Sequence, residues 1–488
     1  MDNIDKSVFL KCIECPTLGW ISKRNRIKRT RTVNDEFMYY EFKVIKQKAQ
    51  DLFSSASDAK CKDRMDSIKR TQELINDAEV EIILNPQFIC GNLFASFDII
   101  KRCKDKAAGW DIIEVKVGKK NKLKYIEGVS FKILTLINLG MQINSVSIMH
   151  INSKFRLGMD DKECFELSDV TDKVDWQTTQ FVLMAQDIEK QLYAEEVPEA
   201  AIKRKCKNCP LFLECVGAKI KNPIFELPRL SALQLQELLS KNIYSINDIS
   251  EDFPLTPHQK IVADCIKNNK TYVSPNLKGE LQKIPQPFYY LDFESVTTAI
   301  PLYPDVPPHS QLLTQFSVHK CLEIDEVAEH FEYIADPKIN NQKEIAQTLI
   351  ACLGKEGAII TYSGSEKLSL LHLANAYEDL KESLLAIVER IIDFEYLIRN
   401  NYYNVEFGGH SSIKTILPVL VKDMGYDWLE INQGGDAAAT FAFMALGIYT
   451  QEACEKAKEH LLRYCKQDTF AMVKIHKALL EIASAEMV

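Results

Sequence analysis

Residues 288–295 read FYYLDFES, and this octet decides how the second half of the chain folds. Phe288, Tyr289, Tyr290 and Leu291 approach two acids, Asp292 and Glu294, without a polar break. Such an approach predicts a buried strand that ends at a site. On a strand, side chains alternate, so the two acids share one face while Phe293 points into the core. Two adjacent like charges repel unless a cation neutralises them, which makes the pair a candidate for a hard divalent metal with oxygen ligands. An exposed strand edge is the competing reading, and the apolar neighbours weigh against it.

Further strands are expected near QFSVHKC (315–321) and GAIITYS (357–363), followed by helices of which the last pair spans 450–464 and 466–482. Strands first and helices interleaved imply a mixed sheet flanked by helices. In ITYSGSEKLSLL, Glu366 falls just after a strand and at the opening of a helix, where a third acid can reach the same sheet edge. In YCKQDTFAM (464–472), Tyr464 and Asp468 stand four apart and share one helix face, so a phenol lies beside an acid and can orient a water. That spacing alone recurs by chance in many helices.

The ordered set Asp292, Glu294, Glu366, Tyr464 and Asp468 resembles the DEDDy branch of the RNase H-like 3′–5′ exonucleases. More narrowly, the stretch resembles the RNase H-like domain fused behind RecB-like nucleases. The resemblance runs through YYLDFES, AIPLY (299–303), QFSVH, ERIIDFEYLIRNNYY (389–403), HSSIKTILP (410–418) and YCKQDTFAM, most of 284–480. It implies Mg²⁺ or Mn²⁺ held by Asp292, Glu294, Glu366 and Asp468, with Tyr464 positioning the attacking water. Two such ions, about 3.5–4 Å apart, stabilise the entering and leaving oxygens of an in-line displacement. Glu366 stands where these exonucleases usually carry aspartate; Asp393, which matches an acid that supports the fold, is its rival as ligand.

The first 220 residues have an α/β layout, with strand-like runs at VEIIL (80–84), LFASFDII (93–100) and WDIIEVKV (110–117) and helical spacing over 127–140 and 176–195. They close with CKNCPLFLEC, which sets Cys206, Cys209 and Cys215 at C-x2-C-x5-C spacing. Cys15 is a distant fourth thiol, with Cys12 as its substitute. Clustered thiols in a reducing compartment point to structural Zn²⁺ or an iron–sulfur cluster, against unconnected small apolar residues. A cluster joining Cys15 to Cys206 closes a loop of about 190 residues and acts as a staple.

This arrangement resembles the iron–sulfur RecB-like nucleases, in which one cysteine precedes and three follow a PD-(D/E)XK core. The resemblance implies a four-iron four-sulfur cluster on Cys15, Cys206, Cys209 and Cys215, and a site built from Asp98, Glu114 and Lys116. Glu114 and Lys116 alternate onto one strand face, where the acid can share a metal with Asp98 and the lysine can polarise a phosphate or water. Three departures leave a weakened or purely binding domain open. Lys132 replaces a supporting glutamine, and Glu41 and Ile45 occupy a helix where glycines and a histidine are expected.

At 488 residues the chain exceeds one core, and two or three domains are expected. We delimit a RecB-like, restriction-endonuclease-like α/β domain over 1–220, a connector over 221–283, and an RNase H-like mixed-sheet domain over 284–488. The connector is punctuated by Pro223, Pro228, Pro254 and Pro257 and carries two short helices within LSALQLQELLSKNIYSINDIS (230–250). No apolar run approaches the ~20 residues of a membrane span, and the start lacks a signal-peptide pattern. No membrane association and a cytoplasmic location with fourteen reduced cysteines are therefore expected. A net charge of −8 argues against a protein that coats nucleic acid non-specifically, though not against an enzyme. The one dense basic run, KRNRIKRTR (23–31), either guides a phosphate backbone or forms a solvated loop. The expectation is a metal-dependent nuclease acting on DNA, or on RNA, in DNA repair or defence. The alternative is a nucleic-acid-binding scaffold with one or both sites inert. No protein partner is indicated.

Overall fold

A computed structural model describes residues 3–24, 30–103, 109–118 and 122–485. The chain divides into two compact units, Met1–Ala201 with Thr298–Ser310, and Ile202–Thr297 with Gln311–Val488. The stretch expected as a connector, 221–283, lies wholly inside the second unit, and the segment 298–310 packs with the first although the flanking strands belong to the second.

The first unit contains helices α1 (Lys6–Glu14), α2 (Pro16–Lys23), α3 (Val33–Asp51), α4 (Arg64–Asn76), α5 (Leu123–Asn138) and α6 (Thr171–Leu192). Its strands are β1 (Ser57–Asp58), β2 (Ile82–Leu84), β3 (Gln87–Cys90), β4 (Leu93–Ser96), β5 (Ile99–Arg102), β6 (Trp110–Lys116), β7 (Ile143–Ile151) and β8 (Phe165–Asp169). Six of them form a mixed sheet in the order β1-β2-β5-β6-β7-β8, with β5 antiparallel and β7 parallel to the central β6. Strand β6 is covered on both faces, which explains its near-continuous apolar sequence. Ile112 joins a core with Val129 and Ile133 of α5, whereas Ile113 and Val115 join another with Ile45 and Ala49 of α3. Alternation then sends Glu114 and Lys116 to the α5 side.

The run LFASFDII, read as one strand, is two. Strand β4 forms a hairpin with β3, and β5 joins the main sheet. The chain turns between them because the Phe97 amide donates to the Pro86 carbonyl and the Asp98 carbonyl accepts from Asn85. Of the basic run, residues 25–29 lie outside the described residues. Arg24 is built into the fold: its guanidinium stacks 3.7 Å from the Trp20 ring and donates to the Leu192 and Ala194 carbonyls.

The second unit contains helices α7 (Ala232–Ser240), α8 (Pro257–Asn268), α9 (Leu277–Gln282), α10 (Gln342–Leu353), α11 (Ser365–Ala376), α12 (Lys381–Glu389), α13 (Phe394–Asn401), α14 (Ile413–Leu420), α15 (Gly434–Ala445) and α16 (Gln451–Ala485). Its strands are β9 (Tyr272–Val273), β10 (Phe288–Thr297), β11 (Gln311–Cys321), β12 (Val327–Ile334), β13 (Ala358–Thr361), β14 (Ile391–Asp393) and β15 (Tyr402–Tyr403). Five form one mixed sheet in the order β12-β11-β10-β13-β14. The first three strands make an antiparallel meander, and β13 and β14 add in parallel on the far side of β10. A register shift after Glu294, where Ser295 faces Leu313 and Thr314 is left over, puts a bulge in β11 opposite the two acids.

The two terminal helices expected from sequence are a single 35-residue helix, α16. No glycine or proline interrupts 451–485, so nothing in the sequence stops the helix at Cys465. Its buried face packs on β10 and β11. Among the described residues, no helix is long and apolar enough to cross a membrane.

Candidate metal centre

Strand β10 and helix α16 carry the site. Asp292, Glu294 and Asp468 each present a carboxylate oxygen within 4.8 Å of the others, the one such group of three or more His, Cys, Asp or Glu ligands among the described residues. Asp292 and Glu294 are partly buried, and Asp468 is buried. The alternation expected for β10 therefore holds for the acids, although Phe293 is only half-buried.

Each acid is held by neighbours. The Tyr426 hydroxyl donates to Asp468 Oδ1 at 2.5 Å. Cys465, buried directly beneath, donates its thiol to the Asp292 carbonyl at 3.6 Å and to Oδ2 at 3.4 Å. Lys414 of α14 donates to the Tyr464 hydroxyl at 3.0 Å and to the Asn432 carbonyl. Gly434, the first residue of α15, leaves its side-chain space open toward Glu294 and Tyr464.

The electrostatics follow from crowding. Burial, then the charges of Asp468, Glu294 and Glu366, push the Asp292 carboxyl well above its usual range. Burial and Asp468 raise Glu294 to about 8 despite Lys414. Burial raises Asp468 to about 6 against the opposing bond from Tyr426 and the charge of Lys414. Three carboxyls that resist ionisation together form an oxygen-donor set that a divalent cation stabilises, so these residues fit Mg²⁺ or Mn²⁺. Burial also raises the Tyr464 phenol, so its proton stays in place.

Glu366 sits in the first turn of α11, as expected, and its charge reaches the three acids, but it lies outside the tight group. Its carboxylate accepts from Ser365 Oγ at 3.0 Å and Ser363 Oγ at 3.3 Å. Asp393 caps α13 by accepting from the Tyr396 amide at 2.9 Å. Lys414, Tyr426 and Cys465 were not singled out from sequence. Lys414 and Cys465 lie inside motifs quoted above, whereas Tyr426 sits in an irregular segment with no local signal.

The remaining expected residues fall elsewhere. Asp98 Oδ1 pairs with Lys46 at 2.6 Å, and its Oδ2 accepts from the Val115 amide at 3.0 Å. Glu114, fully buried, accepts from Lys116 at 2.8 Å and from Lys132 at 2.7 Å on both oxygens. Burial works against its charge, yet the two lysines overcome this and hold the carboxyl well below the usual range. Ile45 is core and Glu41 accepts from the Ala299 amide. Cys15 belongs to the first unit, and Cys206, Cys209 and Cys215 to the second. Those three follow one another through short turns, with the Lys203 amide donating to Cys206 Sγ at 3.3 Å, and their sulfurs do not gather within the spacing that the acids achieve. None of the fourteen cysteines forms a disulfide.

A family model described as "Domain of unknown function (DUF2779)" matches residues 289–412. It takes in Asp292, Glu294, Glu366 and Asp393 and stops short of Tyr464 and Asp468. Over 224 residues the chain is 25% identical to "Uncharacterized protein MG366" of Mycoplasma genitalium, a match over 42% of this chain and 33% of that relative. Over 226 residues it is 24% identical to the "Uncharacterized protein MG366 homolog" of Mycoplasma pneumoniae, again 42% and 33%. The chain spans about a third of the length of the curated relatives it matches.

Proposed function

We propose that the second unit is an RNase H-like nuclease that hydrolyses phosphodiester bonds of nucleic acid, DNA foremost, from the 3′ end. The observation that carries this reading is the convergence of Asp292, Glu294 and Asp468 from β10 and α16, with Tyr464 one helical turn before Asp468. The sheet order, a meander whose first strand pairs in parallel with β13, which in turn pairs in parallel with β14, supports it as well.

Asp292, Glu294 and Asp468 would hold Mg²⁺ or Mn²⁺, with Glu366 adding negative charge beside them. When bound, such ions lower the pKa of a coordinated water and stabilise charge on the entering and leaving oxygens. The chain's own residues supply position. Tyr464 keeps its proton, so it orients a water by hydrogen bonding and does not act as base. Lys414 fixes that hydroxyl and places one positive charge at the rim, where a phosphate oxygen approaches. Tyr426 locks the Asp468 rotamer.

For the first unit the reading is a restriction-endonuclease-like fold, supported by its mixed sheet between α3 and α5 with Asp98, Glu114 and Lys116 gathered at one cavity. For the cysteine loop it is a metal or iron–sulfur ligand set, supported by three thiols within ten residues and tested by assaying the purified protein for zinc, iron and acid-labile sulfide.

The nuclease reading is tested by release of nucleotides from 3′-labelled and 5′-labelled single strands in Mg²⁺ or Mn²⁺. Mononucleotide release from the 3′ end, abolished in Asp292→Ala, is expected. Activity that survives in Asp292→Ala and in Asp468→Ala, or none in the native chain with either metal, rejects it.

A further inference from the structure

The first unit has a cavity of about 590 Å³ whose charge is the reverse of a metal site. At its inner wall Glu114 is fully buried and Asp98 nearly so. Every carboxylate oxygen of the pair is taken. Lys132 spans both oxygens of Glu114 at 2.7 Å, and Lys116 adds a contact at 2.8 Å. Lys46 holds one oxygen of Asp98 at 2.6 Å and the Val115 amide holds the other at 3.0 Å. A divalent cation at this pair meets three ammonium groups already in contact distance of both acids.

The same groups are suited to an anion. Each ammonium has three donors, and Lys46, Lys116 and Lys132 do not exhaust theirs on the two acids. Exposed Lys6 and Lys124 stand at the rim. Among the described residues five lysines thus line the cavity against three acids, the third being Asp5, which caps α1 by accepting from the Val8 amide at 2.9 Å. The volume lies within the range of small-ligand sites. We propose that this cavity is a metal-independent pocket for phosphate groups, in which Lys132 and Lys116 occupy the place of a cation on Glu114 and a nucleic-acid backbone is gripped without being cut.

The cavity is independent of the acid trio in the second unit, and its anion binding is measured without metal. With the full chain in EDTA, binding of a labelled ten-nucleotide single strand is measured by fluorescence anisotropy across a salt series, beside binding of inorganic phosphate by calorimetry. Lys6→Ala/Lys124→Ala alters only exposed side chains, so folding is retained. Strand affinity is expected to fall on the order of tenfold, and the slope of log affinity against log salt to lessen by about 1.4. A fall for inorganic phosphate alone supports the pocket and assigns it to a small phosphate ligand. Unchanged binding of both probes overturns the proposal. The metal arm is Mn²⁺ stoichiometry in the full chain, expected to be equal in the native protein, Glu114→Gln and Asp98→Asn. Circular dichroism verifies the fold of each variant, and a Mn²⁺ site lost in a folded variant overturns the metal-free assignment.

Discussion

Lys414 donates a hydrogen bond to the Tyr464 hydroxyl at 3.0 Å, one helical turn from Asp468. That bond ties a cation to a neutral hydroxyl at a site of three acids. Tyr464→Phe removes the hydroxyl and keeps the ring, so folding should be retained. Single-turnover cleavage is expected to slow by about a hundredfold, with strand affinity unchanged, as for loss of a group that orients the nucleophile. Equal rates for the two proteins would remove Tyr464 from the mechanism.

The crowding of Asp292 with Glu294 and Asp468 stores a cost in the metal-free protein. A carboxyl whose folded pKa is raised favours the folded state below its unfolded pKa and loses that contribution as pH climbs through the folded value. With Glu294 at about 8 and Asp468 at about 6, the loss extends over roughly pH 4 to 8. Asp292→Asn should therefore stabilise the chain in EDTA by on the order of 1–2 kcal/mol at pH 8 and by little at pH 4. Thermal melts at the two pH values check this, and a destabilised variant at pH 8 would contradict it.

His476 is fully buried in α16 among Phe288, Tyr290 and Phe394, with Nδ1 2.8 Å from the Tyr290 hydroxyl. Burial lowers its pKa to about 4. Between pH 6.5 and 4 the unfolded chain takes up a proton here that the folded chain refuses, so stability falls with falling pH, by at most about 1.4 kcal/mol per pH unit. His476→Phe fits the aromatic surroundings and should flatten that part of the profile by one group. Denaturation midpoints followed from pH 7 to 4 measure it, and an unaltered slope would show that His476 does not titrate on unfolding.

Strand β10 was legible because its apolar run and alternating acids are local features. The joining of Asp468 to those acids depends on how α16 lies across β10 and β11, and Tyr-x-x-x-Asp spacing alone does not specify that. Glu366 shows the limit: the strand-to-helix junction was read correctly, but its carboxylate turns to Ser363 and Ser365, a choice of rotamer invisible in sequence. Lys132 was legible only as a departure. Its meaning emerged when α5 placed it across the sheet face from Glu114, eighteen residues earlier. Tyr426 lies in an irregular segment and reaches Asp468 through forty-two residues of chain, so no local pattern announces it. The division of 450–482 into two helices has no breaker behind it, and α16 runs through Cys465 without interruption.

Three carboxylates that share hard cations define the site, and Mn²⁺ titration of the full chain, followed by the electron paramagnetic resonance of the free ion, tests this directly. Saturable binding that weakens at least tenfold in Asp292→Asn, Glu294→Gln and Asp468→Asn alike is the predicted result. Binding that persists unaltered through all three substitutions, or no binding by the native chain at pH 8, would contradict it.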